Sequence, residues 1–167
     1  MLYIGLRKDY KQVKKINGDS SMAYQHILVA TDMSEDCHCV LRKAIELQSS
    51  FNSKISLIHV IEPLSMAFGG DVPMDLSLLQ EQQNEQAQTR LGELQSQYSQ
   101  LDTEHCFVRH GQARQEIHQL AEEENCDLIV VGSHGRHGLA LLFGSTTSDL
   151  LSRAPCDILA VSIRQES

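Results

Sequence analysis

Short apolar runs alternate along this chain with longer stretches in which apolar residues recur every three or four positions. His26-Ile27-Leu28-Val29-Ala30 is too short for a helix and reads as a buried strand. Ser34 follows as a candidate N-cap, with Glu35 and Asp36 in the first turn. Val40, Leu41, Ala44, Ile45 and Leu47 then recur at helical spacing and predict an amphipathic helix over 35–50. Lys54 to Ile61 reads as a second strand, and Pro63, Gly69, Gly70 and Pro73 mark a long loop. Leu76, Leu79, Ala87, Leu91, Leu94, Tyr98 and Leu101 line one face of a long helix whose Gln/Glu-rich remainder faces solvent. Glu104 to Arg109 is a third, weaker strand ended by Gly111, and 113–124 a third helix through Ile117, Leu120 and Ala121. Leu128-Ile129-Val130-Val131 shows no polar alternation, as expected of a strand covered on both faces. A fourth helix over 145–152, Pro155, and a strand from Asp157 to Val161 complete the pattern.

Strands alternating with helices predict an α/β fold: a single domain with a five-stranded parallel sheet and helices on both faces, Rossmann-like. A chain of 167 residues suits one such core. Ligands of these sheets sit beyond the carboxyl ends of the strands, where the strand order reverses. Function therefore has to be sought in the loops at that end.

Charge narrows the partners. The net charge is −8; residues 1–21 carry Arg7, Lys8, Lys11, Lys14 and Lys15 against Asp9 and Asp19, a balance of +3 that leaves −11 on the remainder. An acidic body repels polyanions, and an aromatic content of 5% without Trp offers little for base stacking, so nucleic-acid binding is not expected. No apolar run is long enough to span a bilayer, and five scattered cysteines suit reduced thiols in a cytoplasm. Residues 1–21 lack the apolar core of a secretory signal. They read as a basic, disordered arm, or as a start set upstream of Met22; the domain is placed at 22–164, with a short tail at 165–167.

The segment from Gly132 to Thr147 (GSHGRHGLALLFGSTT) carries the candidate chemistry. It leaves the most apolar strand, passes through four glycines and ends at a helix start rich in hydroxyls. Glycine lets a ligand approach the main chain, and unpaired N–H groups at a helix start bind anions, so the parts make a phosphate cradle. It is not a Walker A loop, since no Gly-Lys-Ser/Thr occurs. Other chemistry-bearing residues read as structural. Cys37-His38-Cys39 cannot chelate jointly on a helix, because residues i and i+2 diverge. Cys126 and Cys156 precede buried strands as small core residues; His134 and His137 have no carboxylate positioned to orient them; His105 and His110 read as surface.

The segments Met22 to Asp32, Ile58-His59-Val60, Asp127 to Gly135 and Ala154 to Val161 together resemble the universal stress protein family, in particular its A-type small bacterial members. The resemblance implies an adenine nucleotide α-hydrolase-like fold and a cytoplasmic, ATP-binding stress-survival module, including survival of DNA damage, with no catalytic residues. Thr31 and Asp32 would lie by ribose and adenine, the main chain at Val60 by adenine, Gly132 and Gly135 by ribose and phosphates, and Gly144, Ser145 and Thr146 by the outer phosphates, with Mg²⁺ as a possible companion. The family's G-x2-G-x9-G-(S/T) loop is shortened here, with eight residues between Gly135 and Gly144. A homodimer through the last strand is also implied. Two alternatives stay open: an interaction dimer with an empty pocket, and a slow ATPase or phosphotransferase.

Overall fold

The computed structural model describes residues 3–5, 24–62, 76–132 and 153–161. Strands β1 (Tyr3–Gly5), β2 (His26–Thr31), β3 (Lys54–Ile61), β4 (Cys106–His110), β5 (Leu128–Gly132) and β6 (Asp157–Val161) form one sheet in the order β1-β6-β5-β2-β3-β4. The five strands β2 to β6 run parallel, as expected for alternating strands and helices; β1 joins β6 antiparallel. Helices α1 (Cys37–Phe51), α2 (Leu76–Gln97) and α3 (Ala113–Glu123) supply the described crossovers.

Strand alternation divides the core. Ile27, Val29, Ile55, Leu57, Leu128, Val130 and Leu159 face Val40, Leu41 and Ala44 of α1 and Leu91 and Leu94 of α2. Leu28, Ile58, Ile129, Val131 and Ile158 face Leu120 and Ala121 of α3. A sheet buried on both sides explains why β2 and β5 lack polar alternation. Two helices return to the sheet through asparagine in the left-handed region: Asn52 (φ 55°) after α1 and Asn125 (φ 54°) after α3. Asn tolerates that conformation, and Asn52 N–H closes on the Gln48 carbonyl, stopping α1 two residues before β3.

Some boundaries depart from the sequence reading. Helix α1 begins at Cys37, so Glu35 and Asp36 precede it, and Ser34 does not cap it through its side chain. A short 3₁₀ turn over Thr103–His105, capped by Asp102, delays β4 to Cys106. His105 is not a surface residue: its side chain is 18% exposed and bonds Asp102 at 2.7 Å. Residues 1–21 were read as an arm, whereas Tyr3–Gly5 adds a sixth strand to the sheet. The expected loop at 63–75 and helix at 145–152 lie outside the described residues.

The amino edge of the sheet is tied by side chains. The Asp127 carboxylate accepts from Gln25 N–H at 2.7 Å and His26 N–H at 3.0 Å, joining β5 to β2. His26, 6% exposed, donates from Nδ1 to the Glu124 carbonyl at 2.9 Å, and its Nε2 accepts from the Ser56 hydroxyl at 2.7 Å. Both ring nitrogens are satisfied in the neutral imidazole, and burial lowers its pKa below the ordinary 6.5. The unfolded chain, with His26 near 6.5, therefore takes up the proton first as pH falls. Stability held above pH 6.5 is lost as pH drops through the folded-state value, then levels off. In urea titrations between pH 8 and 5, the native chain should lose more stability than His26→Gln. Equal slopes for both proteins would contradict this role.

Candidate functional site

Three strand ends meet at the carboxyl edge. In register, Ala30 of β2 lies beside Ile58 of β3 and Val131 of β5, so Thr31, His59 and Gly132 stand at one level. The β2–β3 ladder continues through Thr31 and His59, whereas the β2–β5 ladder stops at Ala30 and Val131. From β2 the chain proceeds to β3 and β4 on one side and returns to β5 and β6 on the other. Strand order thus reverses between β2 and β5, which opens the crevice where such sheets hold ligands. Thr31 and Asp32 form one lip and Gly132 the other. Val60, one residue past the level of Thr31, sits on the adjoining strand.

Local hydrogen bonds shape the β2–α1 turn. Asp32 Oδ1 accepts from Ser34 N–H at 3.0 Å and from the Ser34 hydroxyl at 2.7 Å. Thr31 Oγ1 accepts from Met33 N–H at 2.9 Å. Between them Met33 adopts φ 57°, uncommon for a residue with a long side chain, while that side chain is buried. Such an outlier persists only where its surroundings fix it. On the other side, His59 Nδ1 donates to the Thr31 carbonyl at 2.9 Å and ties β3 to the same turn. Among the described residues, the Asp32 carboxylate bonds through Oδ1.

Four of the eight sequence-derived site residues, Thr31, Asp32, Val60 and Gly132, are therefore brought to one edge. Gly135, Gly144, Ser145 and Thr146, with His134 and His137, lie outside the described residues. The sequence reading missed Met33, Ser34 and His59 as the parts that fix the lip; the Asp-x-Ser spacing of an Asx turn was the available signal for Ser34. It also missed Glu62, whose carboxylate accepts from Ala113 N–H at 3.1 Å at the start of α3.

Cys126 and Cys156 precede β5 and β6 at the amino edge, whereas Cys37 reaches the β2–α1 turn through Thr31. Burial raises the Cys37 thiol above its ordinary value, with a Thr31 hydrogen bond opposing it. Cys37 is buried, Cys39 exposed, and His38 is bonded to the Tyr98 hydroxyl at 2.9 Å, so the three side chains point apart. Burial pushes Cys126 and Cys156 up to about 12, where thiolate is scarce and reactivity low. A surface groove of about 160 Å³ beside the β2–α1 turn is lined by Met33, Ser34, His38, Arg90 and Leu94. It falls short of the roughly 300 Å³ at which small-molecule pockets begin. The crevice between β2 and β5 is the better-founded site. No helix among the described residues is long and apolar enough to cross a membrane.

Residues 23–162 match the Universal stress protein family. The chain belongs to that family. It is similar to universal stress protein A homolog 1 of Coxiella burnetii, 38% identical over 86% of this chain and 100% of the relative. Among solved structures, the universal stress protein fold seen here is similar to that of MJ0577 (TM-score 0.69, 24% identity, 87% of this chain and 99% of that one). It is also similar to a universal stress protein solved in complex with cAMP (TM-score 0.59, 23% identity, 85% and 99%).

The turn predicts a split between two substitutions at Asp32. Asp32→Ala removes the acceptor of both Ser34 bonds and should cost about 1 kcal/mol in urea unfolding. Asp32→Asn keeps Oδ1 as an acceptor and should stay within about 0.5 kcal/mol of the native chain. Equal losses for the two would show that charge, rather than the turn, is what Asp32 contributes to stability.

Proposed function

We propose that this universal stress protein is a cytoplasmic adenine-nucleotide-binding module, with ATP its first candidate ligand, that acts by changing state on binding and not by turnover. The observation that carries the reading is the reversal of strand order between β2 and β5, with Asp32 on one lip and Gly132, where the glycine-rich segment starts, on the other. The residues fit such a group. Asp32 would accept from a ribose hydroxyl or the adenine amino group, the Val60 main chain would meet adenine, and Gly132 would let a phosphate approach the main chain. When bound, the triphosphate would bring its own negative charge, met by the main chain of Gly135, Gly144, Ser145 and Thr146, with Mg²⁺ as an optional counter-ion. A fold relative solved with cAMP supports the adenine-nucleotide class.

A sensing role is preferred to catalysis because the lip holds a carboxylate engaged in a turn and a histidine engaged with a carbonyl. Neither is arranged as a base beside a nucleophile. Ligand would act by favouring one conformational or dimeric state over another. The dimer would form through β6, in the service of stress survival.

Calorimetry of the full chain with ATP, ADP, AMP and cAMP tests the reading. ATP should bind, and Gly135→Val should weaken it at least tenfold, about 1.4 kcal/mol, with an unchanged circular dichroism spectrum. Flat titrations with all four ligands would overturn nucleotide binding. Metal-dependent hydrolysis that vanishes in Asp32→Asn would move the assignment to an ATPase.

A further inference from the structure

We propose that Tyr3–Gly5 is a built-in edge cap that competes with a second copy of the chain for β6; this rests on the dimer reading above. Strand β6 is paired on both sides, with β5 in parallel and with β1 antiparallel in the register Tyr3–Ala160, Ile4–Leu159 and Gly5–Ile158. Take β1 away, and β6 presents an outer row of unpaired N–H and C=O groups, a ready template for another strand. A very short strand laid on such a row is one of the devices by which natural sheets blunt an edge.

Chain direction supports pairing within one molecule. Running antiparallel, β1 ends at Gly5 beside Ile158, toward the amino edge of the sheet, which is also where β2 starts. From β1 across β6 and β5 to β2 is three strand spacings, about 14 Å. Residues 6–23, which join the two strands, can reach up to about 60 Å, so the connection closes without strain. The cap also lies outside residues 23–162, the part that matches the family, so it is an addition to the domain.

Three residues give only a few ladder bonds, each weak on its own. Tethering offsets that weakness, because an attached strand meets its edge at an effective concentration on the order of mM. A second copy at micromolar concentration must displace it, so the cap raises the concentration at which dimers form.

Sedimentation velocity over a concentration series tests this on three proteins: the full chain, full-length Tyr3→Pro/Ile4→Pro, and a chain begun at Met22. The double substitution removes a backbone donor at both alternating positions. The dimerisation midpoint should fall at least tenfold in both altered chains. In parallel, the amides among Ile158–Ala160 that face β1 should be protected from hydrogen exchange in the monomeric full chain and lose protection in the monomeric double variant. Identical midpoints in all three would overturn the cap while leaving the dimer reading in place. Monomers throughout would overturn the dimer reading and the competition with it. Unprotected β6 amides in the full-length monomer would also overturn the cap.

Discussion

The parallel ladder on both sides of β2 is the constraint on which the rest of the molecule depends. Ile27, Val29 and Ala30 pair with Ile55, Leu57 and Ile58 on one side and with Leu128, Val130 and Val131 on the other. Because side chains alternate with a period of two, a slip of one residue would exchange the two faces of β2. Ile27 and Val29 pack with α1 and α2, and Leu28 with α3, so no such slip leaves both cores filled. The same register sets Thr31, His59 and Gly132 at one level. Site geometry is thus a by-product of how the core must pack.

The two edges of the sheet are held by different kinds of bond. At the amino edge, Asp127, His26, Ser56 and Tyr24 bond strand to strand and leave little polar capacity unspent. Among the described residues of the carboxyl edge, the bonds are local to one turn or shared with a neighbouring carbonyl. A parallel sheet permits this because its connections differ at the two ends. Asn52 and Asn125 turn α1 and α3 tightly back to the amino edge, while at the carboxyl edge the β2–α1 turn passes through Met33 in the left-handed region.

Much of this was legible in sequence. Continuous apolar runs gave β2, β3, β5 and β6, and helical spacing gave α1, α2 and α3 to within two residues at most described ends, because burial on both faces imposes those periods directly. Thr31, Asp32, Val60 and Gly132 were legible as strand-end residues for the same reason. What escaped detection depended on partners distant in sequence. His26 reads as one more strand residue until Glu124 and Ser56 are seen around it. Ser34 matches the profile of an N-cap, yet its hydroxyl finds the closer Asp32 carboxylate. Tyr3–Gly5 has too few residues to show any period, and only the open side of β6 gives it a place.

Strand β6 connects the two ideas about this protein. On one side it pairs with β5 up to Gly132 and Val161, at the crevice; on the other it meets β1. Any influence of a nucleotide on the outer edge of the sheet has to cross this single strand, a distance of about 5 Å per ladder step. Proximity alone couples nothing: a ligand shifts the edge only if it binds the capped and uncapped states with different affinity. The main chain at Gly132 meets that condition if closing on phosphate alters the end of the β5–β6 ladder. Pairing there is made of hydrogen bonds between backbones with no side chain at Gly132 to buttress them, so it is the part of the ladder most easily remade.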